Sequence, residues 1–240
     1  VCSSDLVLSD TPTAAAGKAK VPTSESDFTT NFVNWNSSPT FDDSTWQAGA
    51  GFGFGSPFTG ILGTNGNVSS MMLNLNASCF VRYTFTPPSG SISAVRLKTK
   101  YDDGYVAYLN GVKIANDRDP SPLLWNSAAT SDKTDGTAGT AATVTPANGT
   151  AALISGTNVL AFQLLNSSAS NANALLRPQL EIDTYVISGT GYLSSATRGL
   201  VNSPIKTTVG PAISDTTDKP AQPIGGATSS TYNTGNLTAT

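Results

Sequence analysis

The chain of 240 residues contains no histidine. That absence removes imidazole as a base, as a partner for a nucleophile and as a metal ligand, and so excludes His-based triads and His-ligated zinc. Charge is also scarce. Asp, Glu, Lys and Arg make up 12% of the residues, and the formal net charge is −3. Such a surface offers neither the basic stripe that nucleic acid needs nor the polybasic patch that an anionic membrane attracts. No apolar run is long enough to span a bilayer as a helix. Two cysteines, Cys2 and Cys79, make no disulfide framework. What is present is a core-forming fraction of 38% hydrophobic residues, with 22 Gly and 14 Pro to make turns. The balance argues against most hydrolase chemistry and does not by itself name a function. Low charge with abundant Thr, Ser, Asn and Gly is the composition of secreted β-proteins, so the expected location is extracellular.

The first six residues, Val1-Cys2-Ser3-Ser4-Asp5-Leu6, read as the translation of a common sequencing adapter. Residues 1–27 are therefore taken as that scar and a lead-in strand or linker. Cys79 is then a lone thiol inside a strand, behaving as a small apolar residue.

From Phe28 onward, short β-like runs alternate with turn signals, and no apolar period of 3.6 lasts for a full helix. In Phe80–Phe85 one face carries Val81, Tyr83 and Phe85 and the other Arg82 and Thr84. Val95–Tyr101 alternates strictly. Val95, Leu97, Thr99 and Tyr101 point inward, while Arg96, Lys98 and Lys100 form the solvated outer face of a sandwich rather than a ligand stripe. Asn110-Gly111 between two β-rich runs predicts a type I′ hairpin. Residues 116–157 are loose, with weak strand signals at Val144 and at Leu153-Ile154. The apolar run 158–166 predicts a strand buried on both sides, and 179–187 closes the domain. Four prolines between 200 and 225 read as an interdomain linker. Strands without helices predict an all-β fold, an antiparallel β-sandwich of jelly-roll type.

Four ordered segments resemble one module: Phe41-Asp42-Asp43-Ser44-Thr45-Trp46, Gly49–Gly55, Tyr101–Gly111 and Gly156–Gln163. Together they look like the galactose-binding-like jelly roll of large secreted bacterial proteins, found beside lamin-tail and CotH-kinase-like domains. The resemblance covers 28–187. It implies 188–208 as a linker and 209–240 as the start of an immunoglobulin-like domain, hence a bead in a multidomain chain with flanking domains as partners. It implies no particular ligand, because the fold hosts both binders and spacers. Related jelly rolls often hold a structural calcium, for which Asp42, Asp43 and Glu181 are the candidate ligands.

Asp102-Asp103 is the densest acidic pair beside Asp42-Asp43. Successive residues of a strand face opposite ways, so the two are not expected to flank one glycosidic bond; they are expected to bind backbone N–H groups at a turn. The alternating glycines at 49, 51, 53 and 55 lack a following helix and predict a tightly packed or bulged strand, not a phosphate loop. Trp46 is expected in the core. A sugar site needs an aromatic plate and polar groups to orient hydroxyls. Trp125, in the long loop, is the candidate plate, unless it folds back over the sandwich edge. Asp103, Tyr105, Asn126 and Asn166 are its candidate polar companions. The expected function is weak carbohydrate binding or adhesion; a ligand-free spacer is the alternative, and an enzyme the least favoured.

Overall fold

Short aromatic and β-branched runs bounded by Gly, Pro, Asn and Asp become strands here because each has at least one pleated face to bury. The structure, a computed structural model, describes residues 2–9, 17–63, 65–185, 192–193 and 205–206. Within the unit Cys2–Tyr185 the strands are β1 (Cys2–Leu8), β2 (Gly17–Lys20), β3 (Gln47–Gly49), β4 (Phe52–Phe54), β5 (Ser78–Phe85), β6 (Ser91–Asp102), β7 (Gly104–Leu109), β8 (Val112–Asp117), β9 (Ala142–Val144), β10 (Asn158–Leu165) and β11 (Ala174–Tyr185). Every ladder between them is antiparallel. They form two sheets, ordered β1-β11-β6-β9, with β4 also pairing along β11, and β3-β2-β5-β10-β7-β8. The fold is an all-β antiparallel sandwich, as the sequence implies. In the second unit, β12 (Tyr192–Leu193) pairs antiparallel with β13 (Ile205–Lys206).

The sandwich starts earlier than residue 28. β1 runs along β11 from Cys2↔Tyr185 to Leu8↔Leu180, and β2 lies between β3 and β5. Leu8 and Ala19 reach the core from these strands. Their composition hides them: the edge strand β1 is held by backbone hydrogen bonds more than by apolar side chains, and β2 turns only Gly17 and Ala19 inward. Most of 188–208 and all of 209–240 lie outside the described residues.

The core lies between the sheets. The inward faces supply Val81, Tyr83, Phe85, Leu160, Phe162, Leu164, Val95, Leu97, Leu176, Leu180 and Ile182. Cys79 is buried with them, and burial pushes its thiol up to about 12. Every residue of β10 is buried, matching the doubly covered strand read from its sequence. The second cover comes from an aromatic layer on the outer face of the six-stranded sheet, where Phe32, Trp35, Trp46 and Phe80 pack together. Trp35 meets Phe80 edge-on at 4.9 Å. This layer includes a seven-residue helix, α1 (Glu25–Asn31), whose first turn is capped by Ser24 Oγ accepting from Asp27 N at 3.0 Å.

Outside the five-stranded sheet two cations of β6, Arg96 and Lys98, are paired across to β11. Arg96 bonds Glu181 and Asp183, and Lys98 Nζ donates to Glu181 Oε1 at 2.5 Å. They are the outer face of a sandwich. The hairpin forms as expected: Asn110 and Gly111 have φ of 50° and 85° between β7 and β8, and the Asn110 amide also donates to Ala152 O at 2.8 Å. Of the two weak strand signals, Val144 lies in β9 and Leu153-Ile154 lies in no strand.

The glycine run packs its backbone against β11. A Cβ on Gly53 would lie 2.0 Å from Ala174 O, so no side chain fits there. Gly53→Ala is expected to lower unfolding free energy by about 2–3 kcal/mol in urea denaturation. Gly60→Ala, with nothing within 4 Å of the new methyl, is the control and should shift it by under ~1 kcal/mol.

Candidate functional site

β6 and β7 belong to different sheets, so the chain crosses the sandwich between Asp102 and Gly104. Strand alternation does not hold at a crossing, and both carboxylates are wholly buried at one end of the sandwich. The Asp102–Asp103 peptide is cis. Gly104 is needed to let the chain through: a Cβ there would lie 2.8 Å from Asp117 O.

The two carboxylates have opposite surroundings. Asp103 is held by three donors from two loops. Lys133 N donates to Oδ1 at 2.7 Å, Ser167 N to Oδ2 at 2.6 Å and Asn171 Nδ2 to Oδ2 at 3.3 Å. Asp103 does bind backbone N–H groups, but distant ones rather than those of its own turn. No nitrogen or hydroxyl donor reaches either oxygen of Asp102; its polar neighbour is the Asp103 carboxyl, with which it can share only a proton. Burial, then the charge of Asp103, then those of Asp135 and Asp132, and last a hydrogen bond shared with the Asp103 carboxyl, push its carboxyl up to about 7.

The loops around the pair are polar and interlocked. Asn171 Nδ2 also reaches Asp132 Oδ1 at 3.3 Å and Ser167 Oγ at 2.7 Å. Asn173 Nδ2 donates to Asp135 Oδ1 at 2.8 Å. Arg118 Nη1 donates to Asp117 Oδ2 at 2.7 Å and to the Asp103 carbonyl at 3.4 Å, and Lys133 is a second cation beside Asp102 and Asp103. No group of three or more acidic or thiol ligands converges among the described residues. A cation here would therefore rest on Asp102 with Asp103, completed by amide or carbonyl oxygens and by solvent or ligand oxygens.

The sequence-derived site residues divide. Asp103 and Asn166 meet at this end. Asn166 Oδ1 accepts from Ser167 N at 2.9 Å and its Nδ2 donates to Asn171 O at 3.2 Å, so it shapes the loop that holds Asp103. Asn166 is itself buried and positions rather than contacts. Tyr105 is a correction: it lies in the inter-sheet core with its ring 4.7 Å from that of Tyr101, because its place in β7 faces inward. Trp125 is half-buried, packed against the aromatic layer, and its free side borders a cleft of about 320 Å³ with Val21, Pro22, Met71 and Leu75. It both covers the sheet and offers a surface. Asn126 beside it is exposed. The loop 166–171 separates this cleft from Asp103, since Asn166 N donates to Ala77 O at 2.8 Å and Asn74 N to Ala169 O at 2.7 Å.

The calcium ligands expected from Asp42, Asp43 and Glu181 are not brought together. Asp42 accepts from Ser44 N at 3.0 Å, Asp43 pairs with the buried Arg82 at 3.2 Å, and Glu181 is taken by Arg96 and Lys98 on the other sheet. Each carboxylate already has a partner. Sequence reasoning missed Asp102, Lys133, Ser167 and Asn171 as members of the site. The available signal was the crowding of Asp, Asn and Ser in 131–135 and 166–173, which the topology folds over one acidic pair.

No protein-family model matches the chain, and no curated protein matches it in sequence. Among solved structures it is similar to a β-glucuronidase from Ruminococcus gnavus in complex with a C6-substituted uronic isofagomine, at 10% identity and a TM-score of 0.39, over 76% of this chain and 29% of that one. It is also similar to a PA14 sugar-binding domain from an RTX adhesin, at 15% identity and 0.31, over 70% and 88%. The PA14 domain of the MpAFP antifreeze protein gives 15% and 0.30, over 80% and 86%. The chain thus spans under a third of the glucuronidase. The sandwich is read from this chain's own two sheets, and no helix among the described residues is long and apolar enough to cross a membrane.

Proposed function

We propose that this chain is a non-catalytic, extracellular carbohydrate-binding module that holds sugar hydroxyls through a hard cation at Asp102 and Asp103. One observation carries the reading: a wholly buried carboxylate, Asp102, whose oxygens no nitrogen or hydroxyl donor reaches and whose polar neighbour is a second carboxylate, Asp103. Burying a charge without a partner is costly, and a cation supplies the partner. Carboxylate and carbonyl oxygens suit calcium, which takes about 6–8 oxygen ligands in flexible geometry. A protein set this small leaves positions open, and the vicinal hydroxyls of a sugar fill two of them. Trp125, across the 166–171 loop, offers its free face to the apolar side of a neighbouring ring. The resemblance to secreted multidomain proteins fits such a module carried beside other domains.

A glycan array on the full chain, run in calcium and again in chelator, tests this. Specific spots are expected in calcium and absent in chelator, with signal reduced about tenfold or more by Trp125→Ala in a folded protein. A blank array from well-folded, calcium-loaded protein overturns the reading and favours a ligand-free spacer.

A further inference from the structure

Lys133 stands inside the acidic crossing and has no role yet. It is only 9% exposed. Its backbone N–H donates to Asp103 Oδ1 at 2.7 Å, which fixes where its side chain starts. Its ammonium lies 3.2 Å from the centroid of the Tyr101 ring. Burial and then the Arg118 charge hold its pKa below the ordinary lysine value, against the upward pull of Asp117, Asp102 and Asp103. Yet the ammonium gives Asp102 no hydrogen bond. Lys133 therefore supplies positive charge to the pair without ligating it.

That position has two consequences. Without a metal, the ammonium offsets part of the repulsion among the carboxylates, so the 131–135 and 166–173 loops can close over the crossing before any ion arrives. With a divalent cation present, the same charge repels it across a buried, poorly solvated crossing, where Coulomb forces are only weakly screened. We infer that Lys133 is the affinity-setting residue of the site: its ammonium is a resident counter-charge that weakens calcium binding. The site then fills only in calcium-rich surroundings, in the range of ~10⁻⁴–10⁻³ M that extracellular modules use. This rests on the cation reading of Asp102 and Asp103 given above.

Calorimetric titration of calcium chloride into the chelator-stripped full chain tests it, comparing wild type, Lys133→Met and Lys133→Arg. Met keeps the apolar stem and removes the charge; Arg keeps the charge. Lys133→Met should bind calcium about tenfold or more tightly than wild type, while its calcium-free form melts lower. Lys133→Arg should bind like wild type. Lys133→Gln serves the same comparison if the Met variant does not fold. Calcium binding by wild type with equal or weaker binding by Lys133→Met overturns this inference alone. No calcium binding by wild type overturns it together with the cation reading.

Discussion

In chelator at pH 8, Asp102→Asn melts above the wild type; in millimolar calcium it melts below. The inversion follows from one side chain having two states. Without a cation, Asp102 is a buried carboxylate whose oxygens no nitrogen or hydroxyl donor reaches, and a neutral isostere relieves about 1–3 kcal/mol of that cost. With calcium bound, Asn is a weaker ligand, and the variant forgoes the binding free energy that stabilises the wild type. The calcium-free comparison also has a pH signature. The Asp102 carboxyl is pushed up to about 7 from its ordinary 3.8, chiefly by burial. The folded state then holds a proton that the unfolded state has lost, so this group's contribution to stability falls as pH rises from about 4 to about 7. The advantage of Asp102→Asn in chelator should therefore shrink as pH falls through 7 and vanish near pH 4. Thermal melts of both proteins across pH, with and without calcium, read all of this. A variant that melts below wild type in chelator at pH 8 would show that Asp102 has a partner in the protein itself.

One residue along the chain the expected result is the opposite. Asp103→Ala should unfold the domain more easily by about 3–5 kcal/mol, with or without calcium. Asp103 is buried, but it is the acceptor for Lys133 N, Ser167 N and Asn171 Nδ2. Its loss leaves those donors stranded, and with them the two loops that close this end of the sandwich. Relief of repulsion with Asp102 offsets only part of that. For a domain of this size each kcal/mol lowers Tm by about 2–4 °C, so the drop should be of order 10 °C. Asp103→Asn, which keeps one accepting oxygen, should lose less than half as much. A drop under about 3 °C for Asp103→Ala would mean that the loops hold their shape without it.

The fold was largely legible because its signals are local. Alternation assigned the inward residues of β6, the apolar run of 158–166 marked the doubly buried β10, and Asn110-Gly111 marked the hairpin. What was hidden was relational. β1 and β2 bury little, so their composition reads as linker. Asp103 and Asn166 were legible as polar loop residues, whereas Tyr105, four positions before Leu109 in a strand, could be placed inward only once the sheet was known. Asp102 and Lys133 are 31 residues apart and meet because the crossing and the 131–135 loop fold to the same end. Asp42, Asp43 and Glu181 stand out in the sequence only by charge and by position along the chain. Cross-strand and buried arginine partners, which no spacing reveals, had already claimed Asp43 and Glu181.

The most direct test of the account is aromatic-sensitised terbium luminescence on the chelator-stripped full chain. Terbium is a hard, oxygen-seeking cation like calcium, and at Asp102 it would lie in the neighbourhood of the Tyr101 ring. The account predicts emission that calcium displaces and that Asp102→Asn abolishes in a folded protein. No emission, or emission that persists unchanged in Asp102→Asn, would contradict a cation at this crossing.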